Sequence, residues 1–148
     1  MTEPVLHRPR VYGASASRLH SVWRHLAKNS DWAFVEWTST WPFEDIDKQD
    51  ELSPAEFGAL WAKNLLQIRD SDFLLVLGSE DLRGALVEVG CALTERVRVV
   101  TAGVHRAHSW AYHPLVTRCG NLDYARNHLY KYITMVPKRS KASATDTQ

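Results

Sequence analysis

The unbroken apolar run Phe-Leu-Leu-Val-Leu, residues 73–77, constrains the fold of this 148-residue chain more than any other segment. It has the length of a strand, it follows Asp72 and it ends at Gly78. A strand with one face in water alternates apolar and polar residues, whereas a strand of a parallel sheet is covered on both faces and is apolar throughout. The run therefore predicts a buried strand of a parallel sheet with helices on both sides.

Strand and helix patterns alternate in the first half of the chain. A short apolar run at residues 11–12 predicts a strand, and an apolar stripe from Leu19 to Leu26 at helical spacing predicts the helix that follows. Residues 33–37 are β-prone and lead into a long loop at residues 38–52. The sequence Ser53-Pro-Ala-Glu56 then predicts a capped helix start, and we expect this helix to end near Asp70.

The second half continues the alternation. A helix follows the loop at residues 79–83 with Leu86, Val89 and Leu93 facing inward, a strand follows at residues 97–101, and another is expected near residues 115–117. The last predicted helix runs from Asn121 with a stripe that reaches Ile133. This order predicts one doubly wound α/β domain, Rossmann-like or flavodoxin-like, with a mostly parallel sheet of four or five strands over residues 10–136. Residues 1–9 are interpreted as an N-terminal extension and residues 137–148 as a disordered polar tail.

The composition of the chain excludes several classes of function. Eighteen Lys and Arg stand against seventeen Asp and Glu, so a formal net charge of +1 gives no general attraction to nucleic acid or to an anionic membrane. Two cysteines cannot build a disulfide framework, and no apolar stretch has the length of a membrane span. We therefore expect a cytoplasmic protein that binds a small molecule. Six Trp residues serve either core packing or stacking on a flat ligand.

Ligands of such a sheet bind beyond the carboxyl ends of its strands, so the loop after the first strand is a candidate site. It contains Gly13, Ser15, Ser17 and Arg18. Small residues let a ligand approach backbone amides, the hydroxyls donate hydrogen bonds, and the arginine can bind an anion. The loop is interpreted either as a phosphate or sugar site or as a capped helix start.

A second candidate site is the segment after the most apolar strand. Ser79 opens it, Gly84 allows close approach at the helix start, and Glu88 lies four residues later on the same face as Gly84. A carboxylate at this position can attack a sugar carbon or act as a base. The alternative is an ordinary solvated glutamate of a helix.

Three segments together resemble the nucleoside 2-deoxyribosyltransferase-like superfamily, which includes deoxynucleotide N-glycosidases. They are Val11-Tyr12-Gly13, Asp72-Phe-Leu-Leu-Val, and Gly84-x-x-x-Glu88-x-Gly90-x-Ala92 followed by Val97-Arg-Val-Val. The resemblance implies that Glu88 is the nucleophile that takes the sugar from an N-glycosidic bond and forms a covalent glycosyl-enzyme. It also implies that Tyr12 and the small-residue loop hold the sugar and its 5′ substituent. Neither a cofactor nor a metal is implied, and family members are commonly homo-oligomers.

The chain departs from that family at two acidic positions. Asn64 stands where family enzymes often carry an aspartate, and Leu82 stands where transferases place an acid, with Asp81 one residue away and Glu80 beside it. An amide can hold a sugar hydroxyl or a base edge, but it cannot transfer a proton. Two functions therefore stay open: cleavage or transfer at an N-glycosidic bond, with Asp81 or Glu80 as acid, and non-catalytic nucleotide binding on the same fold.

Trp37, Trp41 and Phe43 are candidates to stack on the departing base, with core packing as the alternative. A group of possible zinc ligands lies close together in the sequence and comprises His105, His108, His113 and Cys119. The spacings between these residues match no common zinc-binding pattern. We expect no metal there.

Overall fold

A computed structural model describes residues 4–44, 51–78, 82–104 and 108–137 of the chain, with no side chains described for residues 4–6 and 134–137. The strands are β1 (Pro4–His7), β2 (Arg10–Ala14), β3 (Glu36–Trp37), β4 (Phe73–Leu77), β5 (Arg98–Ala102), β6 (Val116–Cys119) and β7 (Thr134–Pro137). The helices are α1 (His20–Lys28), α2 (Pro54–Arg69), α3 (Arg83–Thr94) and α4 (Leu122–Tyr130). No helix in these ranges is long and apolar enough to span a bilayer.

Five strands form one sheet in the order β3-β2-β4-β5-β6, and every pairing in it is parallel. All five residues of β4 are buried, as its apolar sequence predicts for a strand covered on both faces. Helices α2 and α3 pack together on one face of the sheet. On the other face, Arg126 of α4 donates to the Asp31 carbonyl just after α1. The predicted single α/β domain with a mostly parallel sheet is confirmed.

The start of α2 forms as its sequence predicts. The Ser53 hydroxyl accepts a hydrogen bond from the Glu56 amide, and the Glu56 carboxylate accepts one from the Ser53 amide, both at 3.2 Å. Pro54 occupies the first helical position, where its missing N–H has no partner to lose. This reciprocal cap fixes where α2 begins and therefore which of its side chains face the sheet.

Several predicted boundaries are wrong. The strand predicted at residues 33–37 covers only Glu36 and Trp37, because a 3-10 turn at Ser30–Trp32, capped by the Asn29 side chain, occupies the chain just before it. The last helix ends at Tyr130 instead of reaching Ile133, since the chain turns there into β7. Strand β7 pairs antiparallel with β1, which lies within the predicted N-terminal extension. The predicted tail from residue 138 onward lies outside the described ranges.

The inward face of α3 also differs from the prediction. Leu86 is 41% exposed, whereas Ala85, Glu88, Val89 and Ala92 are buried. Ala85 and Ala92 have side chains short enough to let the helix lie close against the sheet, and this close packing selects the face. Glu88, which we placed outside the packed face, therefore lies on it.

Candidate active site

A cavity of about 340 Å³ lies beyond the carboxyl ends of β2 and β4. The chain leaves β2 toward β3 in one direction and β4 toward β5 in the other, so this is where the strand order reverses and where ligands of such sheets bind. Its volume is in the range of small-molecule sites. The loop before α1, α2 and the first turns of α3 supply most of its lining: residues 15–18, Phe57, Leu60, Trp61, Asn64, Arg83, Gly84 and Glu88.

Glu88 lines this cavity with a side chain that is only 5% exposed. Burial raises the pKa of its carboxyl from 4.5 to about 7, and the nearby Tyr12 hydroxyl, which favours the ionised form, acts in the opposite direction. Among the residues that the structure describes, no positively charged group contributes to this pKa. The carboxylate is therefore desolvated, ionised in part at neutral pH and without a cationic partner in the described part of the chain, which suits a nucleophile or a base.

Tyr12 lies beneath the cavity. Its ring is fully buried in β2, and burial together with the nearby Glu88 carboxylate raises the pKa of the phenol far above its ordinary value. The phenol therefore stays protonated. The hydroxyl makes no hydrogen bond of ordinary geometry with any described residue, and the Glu88 carboxyl is the charged neighbour with the largest effect on its pKa. Tyr12 is thus a neutral, buried polar neighbour of the carboxyl.

Asn64 lines the same cavity from α2 and is 6% exposed. Its carbonyl oxygen is buried and lacks a hydrogen-bond partner in the described ranges. Leaving a buried amide oxygen unpaired lowers the stability of the fold by roughly 1–3 kcal/mol. A bound ligand that donates a hydrogen bond to this oxygen would recover that free energy. Its place on the apolar stripe of α2 predicts an inward-facing polar group, and the structure agrees.

The loop after β2 divides into a structural part and an exposed part. The Ser15 hydroxyl accepts from the Trp23 indole at 2.8 Å and donates to the Ala16 carbonyl at 3.0 Å, so its bonds are used within the fold. Ser15 is thus neither a free donor nor the cap of a helix. Ser17 and Arg18 are exposed and line the cavity, as the phosphate or sugar interpretation requires.

The two glycines singled out from sequence differ in what surrounds them. A Cβ on Gly13 would lie 2.6 Å from the Trp23 ring, so this glycine is required for packing α1 on β2. The Gly13 carbonyl also accepts from the Trp41 indole at 2.8 Å. Gly84 lines the cavity, and a Cβ added at Gly84 would lie 3.7 Å from the Trp61 ring, which is an ordinary contact.

Of the three aromatic residues that are candidates to stack on the base, one lines the cavity and two do not. Trp41 lines the cavity. Trp37 does not, because its ring packs against Trp23 and Trp32 at centroid distances of 5.8 and 5.7 Å. Phe43 is 52% exposed and lies outside the lining.

Four lining residues with large side chains are absent from the candidates that the sequence gives. Phe57, Leu60 and Trp61 lie at helical spacing in α2, which predicts core packing for them, and Arg83 lies at the end of the loop expected at residues 79–83. Asn64 could have identified the first three, because an inward polar residue on an apolar stripe marks the part of that stripe that faces a cavity.

Some predicted site residues lie outside the described ranges. They are Ser79 and the candidate acids Glu80 and Asp81, together with His105 of the histidine and cysteine group. Within the ranges that are described, no group of three or more His, Cys, Asp or Glu side chains could hold a metal ion. His113 instead accepts a hydrogen bond from the Leu115 amide at 3.0 Å.

No protein-family model matches the sequence. No curated protein matches it either. Among solved structures, the conserved protein from Enterococcus faecalis V583 is similar over 95% of this chain and 96% of that chain, with 14% sequence identity and a TM-score of 0.47. The resemblance to nucleoside 2-deoxyribosyltransferases therefore stays a prediction.

Proposed function

We propose that the protein cleaves, or transfers the sugar of, the N-glycosidic bond of a nucleoside or nucleotide. The observation that carries this proposal is the buried Glu88 carboxyl in the wall of a cavity of ligand size, with no cationic partner in the described ranges. A carboxylate in that setting is poorly solvated. Forming a bond to an electron-poor carbon removes the negative charge that burial disfavours, so the setting favours nucleophilic attack. The sequence resemblance supports the same assignment for Glu88.

In the proposed reaction a Glu88 oxygen attacks the anomeric carbon, the C–N bond breaks, and the base leaves with the electron pair and takes a proton from Asp81 or Glu80, the acids that the sequence offers. The product is a glycosyl ester of Glu88, which water hydrolyses or a second base displaces. The nearby Tyr12 hydroxyl favours the ionised form of the carboxylate. Asn64 holds a sugar hydroxyl, Ser17 and Arg18 hold the 5′ substituent, and the Trp41 ring, whose indole is bonded to the Gly13 carbonyl, stacks on the base.

The test is release of free base from deoxynucleosides and deoxynucleotides, followed by chromatography. We expect wild-type protein to release base and Glu88→Gln to lose the activity by at least about 10³-fold, since the attacking atom is removed. Glu95→Gln, an exposed carboxyl just beyond α3, is the matched control and should stay active. Mass spectrometry of quenched wild-type protein should find a sugar adduct on the peptide that contains Glu88. Full activity in Glu88→Gln would overturn the proposal.

The second candidate function is nucleotide binding without turnover. Asn64 favours it because an amide cannot transfer a proton, and so does Leu82, which is buried and occupies a position where an acid is expected. Calorimetric titration with nucleotides distinguishes the two functions. Binding without release of base and without an adduct would support the binding protein and exclude the enzyme.

We also propose that the protein is a cytoplasmic homo-oligomer. Leu66 of α2 and Val87 of α3 are 55% and 54% exposed, and they lie on two helices that pack together beside the cavity. Exposed aliphatic side chains on neighbouring helices are typical of an interface between subunits. Both cysteines, Cys91 and Cys119, are free thiols, which supports a reducing compartment.

A further inference from the structure

A second cavity lies at the opposite edge of the sheet, at the amino ends of β2, β4 and β5. Its volume is about 460 Å³, and it shares no lining residue with the cavity beside Glu88. We propose that this second cavity binds a small molecule that carries a diphosphate group. The inference goes beyond the proposed function and does not depend on it.

Three guanidinium groups line the second cavity from different elements. Arg69 is the last residue of α2, Arg96 follows α3, and Arg98 is the first residue of β5. Arg69 and Arg96 form no hydrogen bond or ion pair with any residue that the structure describes. Arg98 lies over the Tyr132 ring, 5.2 Å from its centroid, and this contact orients the guanidinium group without neutralising it. All three side chains therefore keep N–H donors for a ligand.

The carboxylates of the same lining do not balance these charges. The Asp72 carboxylate accepts a hydrogen bond from the Arg10 amide at 2.9 Å and lies 3.5 Å from the His7 ring, so it is engaged within the fold. Glu95 is the other carboxylate of the lining and forms no ion pair with a described residue. Three guanidinium groups thus stand against one uncommitted carboxylate, and the cavity attracts anions.

The arginine at the end of α2 is not needed to cap that helix. The carbonyls of residues 66–68, in the last turn, accept hydrogen bonds from the Asp70 and Ser71 amides and from the Ser71 hydroxyl. The end of a helix carries a partial negative charge of about half an elementary charge, which attracts a guanidinium group but does not neutralise it. Arg69 therefore has charge and donors that the fold does not use.

Arg96 occupies a backbone position that favours glycine. Its φ is 58°, the one positive φ at a non-glycine residue in the described ranges. Its amide donates to the Leu93 carbonyl and the Val97 amide donates to the Ala92 carbonyl, as in a Schellman motif, whose left-handed residue is usually glycine. The arginine side chain forms no bond in this turn, and an arginine in this conformation is strained. A ligand contact in the cavity that Arg96 lines accounts for an arginine at this position.

The class of ligand follows from charge and size. A guanidinium group donates two parallel N–H bonds to a phosphate, and three such groups offer more donors than a single carboxylate can accept. A diphosphate supplies enough acceptor oxygens and at least two negative charges. The volume of about 460 Å³ also leaves room for an organic part of the ligand.

Calorimetric titration with inorganic pyrophosphate tests the inference. We expect wild-type protein to bind pyrophosphate, and we expect Arg69→Ala and Arg96→Gly each to weaken binding at least about fivefold, because each removes a charged donor. Lys28→Ala is the matched control for Arg69→Ala, since Lys28 is the exposed last residue of α1 and lies outside the cavity. This control should bind pyrophosphate as wild type does.

Urea denaturation separates a loss of the site from a loss of the fold. We expect Arg96→Gly to keep or raise the urea midpoint, because glycine adopts the left-handed conformation without strain. Weaker binding by a variant of equal stability then assigns the affinity to the Arg96 side chain. The inference would be overturned if wild-type protein did not bind pyrophosphate, if both arginine variants bound it as wild type does, or if Lys28→Ala weakened binding equally. None of these outcomes bears on the release of base by Glu88.

Discussion

Glu88 shows how one residue can be identified by sequence and still be wrongly placed. The interval from Gly84 to Glu88 indicates a carboxylate one helical turn after a small residue, and the structure has both in the wall of one cavity. Helical periodicity assigns packing to Leu86 and exposure to Glu88, and the structure reverses the two. The carboxyl therefore carries a desolvation cost that an exposed glutamate would not have, and this cost is measurable.

We predict that Glu88→Gln stabilises the fold at alkaline pH. The folded protein holds a proton on Glu88 up to a pKa of about 7, above the ordinary value of 4.5, so between these values the folded state binds more protons than the unfolded state. Glu88 therefore makes the free energy of unfolding fall as pH rises through this window. Relative to wild type, Glu88→Gln should gain on the order of 3 kcal/mol at pH 8 and little at pH 4.

Urea denaturation at pH 4, 6 and 8 measures this effect. Tyr12 is protonated throughout, so it adds no titration of its own in this range. The exposed Glu95 serves as the control position, and Glu95→Gln should follow the wild-type pH dependence. If Glu88→Gln and wild type lose stability in parallel from pH 4 to pH 8, the carboxyl is not buried in solution as described.

At the scale of elements, the junction of β2 and α1 positions the first wall of the cavity. The Trp23 ring of α1 lies over Gly13 of β2, and its indole is bonded to the Ser15 hydroxyl. The Trp41 indole, from the 3-10 turn at Trp41–Phe43, is bonded to the Gly13 carbonyl. These contacts fix the loop that contains Ser17 and Arg18, so the loop is held by tryptophan residues on both sides.

We predict that Gly13→Ala loosens this junction. The new Cβ would lie 2.6 Å from the Trp23 ring, so either the ring or the strand must move, at a cost of about 1–3 kcal/mol in the free energy of unfolding. Gly58→Ala is the matched control, because nothing lies within 4 Å of a Cβ at that position in α2 and alanine is the better helix former. Urea denaturation should find the control unchanged or stabilised by up to about 1 kcal/mol. Equal stability of the two variants would contradict the described packing.

At the scale of the whole molecule, strand order sets the position of the cavity. With the order β3-β2-β4-β5-β6, the loops after β2 and β4 diverge, and the gap between them opens beside α2 and α3. The outer sides of these same two helices expose Leu66 and Val87. The cavity wall and the proposed subunit interface thus belong to one pair of helices.

We predict that Val87→Lys weakens self-association. A lysine at the centre of an apolar interface must be desolvated without a partner, which costs several kcal/mol and should shift the protein toward monomer. Sedimentation velocity over a range of concentrations measures the shift. Tyr124→Lys is the matched control, since Tyr124 is 64% exposed on α4, on the other face of the sheet. A wild-type protein that is monomeric throughout would contradict the oligomer proposal.

The sequence by itself determined the local elements and the types of chemistry available. The apolar run of β4, the capping residues of α2 and the alternation of strand and helix predict a parallel α/β sheet because each depends on interactions between residues close in the chain. The positions of Glu88 and Asn64 on their helices also follow from the sequence.

Only the tertiary structure decided what surrounds those residues. The buried face of α3, the short β3, the ribbon of β1 and β7 and the separation of Trp37 from Trp41 all depend on how closely elements distant in the chain approach one another. Whether a carboxylate is solvated depends on the same approach, because desolvation comes from every neighbour in space. For that reason the sequence predicts a carboxyl group at the position of Glu88, whereas its burial without a counter-charge in the described ranges follows only from the tertiary structure.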